Sequence, residues 1–94
     1  MPRAAAILLA CLVPAAGLTD TPLVEAGRTI FVETCASCHG ETGQSVSIGD
    51  IRGTRLSTLR RVPNGFEQMP PIALTEDEIA AIAAYLAALA AADP

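Results

Sequence analysis

The 94-residue sequence has no tryptophan and no lysine, a single histidine and three cysteines. Each shortage closes off a class of function. A closed zinc site takes four Cys or His ligands, and that set cannot be assembled here once Cys11 is assigned to a leader segment. Without lysine, at a net charge of −4, the chain is a polyanion, and polyanions do not hold nucleic acid. No apolar run approaches the ~20 residues that span a bilayer as a helix. Aromatic residues are limited to Phe31, Phe66 and Tyr85. There is no internal repeat and no second domain, and a chain this short usually needs a staple or a bound group to be stable.

What is present begins with a leader-like start. Met1-Pro2-Arg3 gives one positive charge, Ala4 to Val13 is apolar, and Pro14-Ala15-Ala16-Gly17 is small. That order reads as a secretory signal over residues 1–17, leaving 18–94 as the mature domain. Removal leaves five arginines against ten carboxylates, a net charge of −5. Leu8-Leu9-Ala10-Cys11 loosely resembles a lipoprotein processing site, although Leu9 is larger than usual there. Membrane attachment therefore depends on lipidation of Cys11 or on retention of the leader.

The most informative segment is Cys35-Ala36-Ser37-Cys38-His39. Cys-x-x-Cys-His is the attachment signature of a c-type haem. Cysteines at this spacing lie about one helical turn apart, so both thiols reach the vinyl groups along one edge of a porphyrin. The adjacent His39 then lies beneath the ring, placed to be the proximal axial ligand. A thioredoxin-like pair calls for strands alternating with helices, a pattern this sequence lacks. A structural disulfide within one turn would leave His39 without a role. One haem c, held through Cys35 and Cys38, is the expected cofactor, and the scarcity of aromatics suits a core organised around such a group.

Thr21-Pro22 is an N-cap followed by proline at the first helical position, and it opens a helix over about 22–35 with Glu25 and Arg28 on the wet side. Gly27 is costly inside a helix, so its position predicts close approach of another backbone. Residues 40–54 are rich in Gly, Ser and Thr and read as loop. A short helix follows over Ser57 to Val62, with Leu56, Leu59 and Val62 on one side. Pro63-Asn64-Gly65 is a turn signal, and Phe66 to Ile72 reads as extended. Pro70 biases Met69 away from helical backbone. Thr75-Glu76-Asp77-Glu78 is a capping box that starts a helix running to about Ala91, with Ile79, Ile82, Leu86 and Leu89 as its apolar stripe. No strand is predicted. The carboxylates of that box are accounted for by capping, and the sequence shows no acid–base catalytic group.

With these motifs in view, the chain resembles the class I cytochrome c family over nearly all of the mature sequence. The matching residues are Gly27-Arg28-Thr29-Ile30-Phe31, Cys35-Ala36-Ser37-Cys38-His39-Gly40, Asp50-Ile51-Arg52-Gly53, Gly65-Phe66-Glu67-Gln68-Met69-Pro70-Pro71, and Leu74-Thr75-Glu76-Asp77-Glu78-Ile79 through Ala84-Tyr85-Leu86. The resemblance implies a small all-α fold: about three helices and long loops wrapped around one covalently bound haem, with Gly27, Phe31 and Tyr85 at the crossing of the first and last helices. It implies Cys35 and Cys38 as thioether attachments, His39 as proximal ligand and Met69 as distal ligand. A count of the alternatives agrees on Met69, since the other methionine is the initiator and the remaining candidates are Tyr85, a terminal group or an exogenous molecule.

Two departures accompany the resemblance. The span from His39 to Met69 is short for the family, which implies trimmed loops and an exposed propionate edge. Gly49 also stands where the family often has a proline whose carbonyl accepts the His N–H, so a less rigid backbone carbonyl is left for that role. Arg52, Arg55, Arg60 and Arg61 form a basic cluster in which Arg52 or Arg55 is a candidate for propionate contact.

Function follows as an expectation: a periplasmic one-electron carrier, not an enzyme. It is either a diffusible shuttle or the cytochrome subunit of a periplasmic dehydrogenase, and its protein redox partners present a basic docking patch to an acidic surface. The alternative is a ligand-binding or catalytic haem protein, a gas sensor or minor peroxidase, with an open or displaceable sixth site.

Overall fold

The structure, a computed structural model, describes residues 21–92. The expected leader at 1–17 and Cys11 lie outside the described residues. Helix α1, Pro22–Thr34, begins where expected: the Thr21 side chain accepts a hydrogen bond from the Val24 N–H at 3.2 Å, and proline occupies the first turn. It ends at Cys35, whose backbone (φ −110°, ψ −27°) departs from the helix while its N–H still donates to the Phe31 carbonyl. A second short helix, α2, spans Ala36–His39 and stops at Gly40 with φ 82°.

The Gly/Ser/Thr-rich stretch differs from the loop expected for it. Gln44–Ser45 (β1) and Gly49–Asp50 (β2) pair antiparallel, Gln44 opposite Asp50 and Ser45 opposite Gly49. Strands this short carry no hydrophobic period, so alternation could not have marked them. Helix α3, Leu56–Leu59, begins and ends earlier than expected, and a 3-10 turn over Val62–Asn64 takes up the Pro63-Asn64 signal.

The stretch expected to be extended, Phe66 to Ile72, instead opens with a tight turn. Phe66 and Met69 exchange both backbone hydrogen bonds, at 3.1 and 2.8 Å, and Glu67 lies at φ 55°. Nothing in the residue types announces this, because a glutamate is not expected in left-handed backbone. Helix α4, Glu76–Ala92, carries the anticipated capping box: the Glu78 side chain accepts from the Thr75 N–H at 2.8 Å, and the Thr75 hydroxyl accepts from the Glu78 N–H at 3.1 Å.

The frame of the molecule is the crossing of α1 and α4. A Cβ on Gly27 would collide with the Ala81 carbonyl oxygen, so only glycine lets the two backbones meet. Beside that contact, Phe31 and Tyr85 pack with ring centroids 5.5 Å apart at 51°, a tilted arrangement favoured by the ring quadrupoles. Phe31, Ile82 and Leu86 are fully buried, and each such side chain contributes roughly 1.5–3 kcal/mol by leaving water. The Tyr85 hydroxyl donates to the Glu41 carbonyl at 3.1 Å, and the Gly53 N–H donates to the Leu86 carbonyl at 3.0 Å. These two bonds tie the segment after α2 to the frame.

Candidate functional site

One face of the frame opens into an apolar cleft of about 140 Å³. Phe31 of α1, Ile82 and Leu86 of α4, Ile51 and Leu59, and then Val62, Phe66, Ile72 and Leu74 line it. A second, outer cleft of about 230 Å³ is lined by Thr34, Ser37, Cys38 and Pro70. Cys35, His39, Met69 and Ile72 line both. The four residues singled out by sequence, Cys35, Cys38, His39 and Met69, are thus brought to one continuous site, although thirty positions separate His39 from Met69.

Local geometry explains the placement. Cys35 falls at the break between α1 and α2, half-buried, while Cys38 lies one turn on and is exposed. Both are free thiols. Burial pushes the Cys35 thiol above its ordinary pKa because the thiolate would lose its solvent there. The His39 backbone N–H donates to the Cys35 carbonyl at 3.0 Å, which closes α2, and His39 lines the cleft. Met69 is brought to the cleft on the second arm of the Phe66–Met69 turn, and Pro70 biases it away from helical backbone.

A porphyrin fits this donor set. Two thiols, an imidazole and a thioether converge on apolar walls, and the His39 Nδ1 is buried with no hydrogen-bond partner. That orphaned nitrogen corrects the expectation of a backbone carbonyl supplied near Gly49. Gly49 lies in the β1–β2 pair, and no carbonyl among the described residues accepts from Nδ1.

The arginine cluster resolves into separate roles. Arg52 makes a bidentate pair with Asp50, at 2.9 Å from Nε to Oδ1 and 2.6 Å from Nη2 to Oδ2. The side-chain bonds from Arg52, then its backbone N–H, hold the Asp50 carboxyl down at a pKa of about 2. Arg60 bridges to Glu76 at 3.2 Å, linking the end of α3 to the start of α4. The Arg61 guanidinium sits 4.3 Å from the centroid of the Phe66 ring. Sequence reasoning missed the place of Phe66 in the cleft wall and of Thr54 and Thr58 at its rim. The apolar side of α3 was a usable signal for Leu59 and Val62, but no spacing rule points to an isolated phenylalanine or to two threonines.

A helical frame crossing at a glycine, with a Cys-x-x-Cys-His helix and a methionine facing one apolar cleft, defines a small c-type cytochrome domain with an all-α fold. Residues 22–86, more than two-thirds of the chain, match the family described as cytochrome c oxidase, cbb3-type, subunit III, and the chain belongs to that family of cytochrome c domains. No curated protein and no solved structure matches it. Membership implies covalently bound haem c and haem-based electron transfer with protein redox partners.

Proposed function

We propose that the domain is a periplasmic one-electron carrier with a single haem c, joined through Cys35 and Cys38 and ligated by His39 and Met69. The observation that carries this reading is the shared cleft, where Cys35, His39 and Met69 meet between apolar walls. When bound, the haem supplies a one-electron Fe(II)/Fe(III) couple. The protein's part is to hold, orient and dry that group. The cysteines anchor one edge, at a helix break where the first is half-buried and the second is open to solvent. His39 and Met69 would both ligate the iron, which would leave no open site for a substrate, and Met/His ligation favours a raised potential. Phe31, Ile82 and Leu86 exclude water from the inner side of the cleft.

Export is supported by the leader-like residues 1–17, and an acidic mature chain suits a partner with a basic docking patch. Two of the arginines, Arg52 and Arg60, are already paired inside the chain, which leaves the carboxylates of Glu25, Glu33 and Glu41 on exposed residues. The family description names a subunit of a terminal oxidase. It supports a place in a respiratory chain that ends in such an oxidase, as a dedicated subunit or as a diffusing donor. A cytochrome subunit of a periplasmic dehydrogenase uses the same site.

The test is a pair of variants of the haem-loaded protein. Cys35→Ala/Cys38→Ala yields protein with no haem resistant to acid–acetone extraction, and Met69→Ala abolishes the weak sulfur-to-iron band of the ferric protein and opens it to cyanide. Covalent haem retained in the double variant overturns the attachment, and an unchanged Met69→Ala spectrum overturns the sixth ligand.

A further inference from the structure

We propose that Arg61 is a positioning residue for Met69, acting through Phe66. The proposal rests on the reading of Met69 as the sixth ligand. Its basis is a chain of contacts that joins a fixed cation to the methionine. The Arg61 backbone is locked between α3 and the 3-10 turn: its N–H donates to the Thr58 carbonyl at 3.0 Å, and its carbonyl accepts from the Asn64 N–H at 3.1 Å. On either side of it, Leu59 and Val62 belong to the cleft wall. From this anchored base the exposed guanidinium lies over the Phe66 ring at 4.3 Å, on a residue that itself lines the cleft. A planar guanidinium on an aromatic face gains both cation–π attraction and stacking.

Phe66 is in turn bonded to Met69 through both of its backbone groups. The orientation of Phe66 therefore sets where the Met69 backbone lies and how far its side chain reaches into the cleft. The turn needs such a clamp. Glu67 sits in left-handed backbone that a residue with a Cβ adopts at a cost, and both Glu67 and Gln68 are exposed. Nothing inside the turn itself resists its opening except the Phe66–Met69 pair. Arg61 fastens the first arm, so the second arm, with Met69, keeps its register.

The experiment measures the rate at which cyanide binds the ferric haem-loaded protein, with Arg61→Gln, Arg61→Lys, Phe66→Leu and Met69→Ala beside the wild type. Because cyanide enters as the methionine leaves, the expected result is a rate raised about twofold to fivefold in Arg61→Gln, the change that loss of one exposed cation–π contact corresponds to. Arg61→Lys, which keeps the cation, falls between that variant and the wild type. Phe66→Leu raises the rate as well, and adding Arg61→Gln to it gives no further rise. Haem content and far-ultraviolet circular dichroism stay at wild-type values in the Arg61 variants, since the residue is exposed. Wild-type rates in Arg61→Gln, or additive effects in the double variant, alongside fast binding in Met69→Ala, overturn the positioning role and leave Met69 as ligand. Binding as fast in the wild type as in Met69→Ala overturns the ligand reading and the positioning role together.

Discussion

The two sides of the cleft are held by different means. The side bearing Cys35 and His39 is continuous with the α1–α4 frame, where backbones touch at Gly27 and where Phe31, Ile82 and Leu86 are sealed from solvent. The side bearing Met69 is a strap from the 3-10 turn to the start of α4. Val62 is the buried residue of the strap, and its main fastenings are the Phe66–Met69 backbone pair and the Ile72 N–H donating to the Val62 carbonyl at 3.3 Å. Elements with few buried apolar contacts open at lower free energy than the core. The side bearing Cys35 and His39 therefore inherits the stability of the whole fold, while the side bearing Met69 depends on local clamps and on what fills the cleft. The Met69 thioether, proposed above as the sixth ligand, sits on the side held by fewer buried contacts.

The largest break in this comparison comes from the frame. Gly27→Ala places a methyl group against the Ala81 carbonyl with no room to rotate away. Forcing the helices apart costs about 3 kcal/mol or more, at the upper end of overpacking effects, and a single small domain has little more than that in reserve. The expected outcome is a large drop in melting temperature and in yield of haem-loaded protein, seen by thermal circular dichroism. A variant as stable as the wild type would show that α1 and α4 are not in contact at this point.

A smaller effect is expected where the frame meets the loop after α2. Tyr85→Phe removes the hydroxyl that donates to the Glu41 carbonyl and leaves the ring in place against Phe31. The loss is about 1 kcal/mol, the net worth of one hydrogen bond, measured as a shift of the urea midpoint with unchanged slope. Cyanide binding to the ferric protein should hardly change, because Tyr85 belongs to the frame and not to the strap. A variant that speeds cyanide entry without losing stability would erase the distinction between the two halves.

Much of the frame and of the site was legible in the sequence, for a physical reason. Thr21-Pro22 and the Thr75–Glu78 box are local signals whose partners lie within one turn, and both caps form as read. Gly27 was informative because glycine in a helix interior is unfavourable unless something approaches it, and Ala81 does. The Cys35–His39 motif is local too, so its helix could be read without knowing the fold. The strap was read poorly because its determinants are not local. Glu67 at φ 55° is imposed by the closure of the Phe66–Met69 pair, and the Arg61–Phe66 contact depends on the path of the intervening turn. The β1–β2 pair escaped for a related reason: two-residue strands are set by the turn between them and not by a period of their own. His39 Nδ1 is the converse case, since any backbone carbonyl could have met it and none does.

The smallest expected effect probes the strain in the strap. Glu67 occupies a conformation that costs a residue with a Cβ roughly 1–2 kcal/mol. Glycine removes that cost, but it also widens the unfolded ensemble, which takes back about 0.4–1 kcal/mol. Glu67→Gly is therefore expected to stabilise the protein by only about 0.5 kcal/mol, the balance of these opposing terms. Glu67→Ala retains the Cβ and so retains the strain; its stability should match the wild type, because the exposed Glu67 side chain contributes little. The two variants together separate backbone from side chain in a single urea series. A gain with Gly and none with Ala locates the strain at φ of residue 67. Equal losses in both would mean that the carboxylate makes a stabilising contact. Since the turn carries Met69, relief of the strain should also slow cyanide entry in Glu67→Gly relative to Glu67→Ala, by a factor of about two, which is what 0.5 kcal/mol amounts to at 25 °C. Slower entry together with that small gain would place the strain in the strap, and a gain in stability with no change in entry would place it outside the opening that cyanide needs.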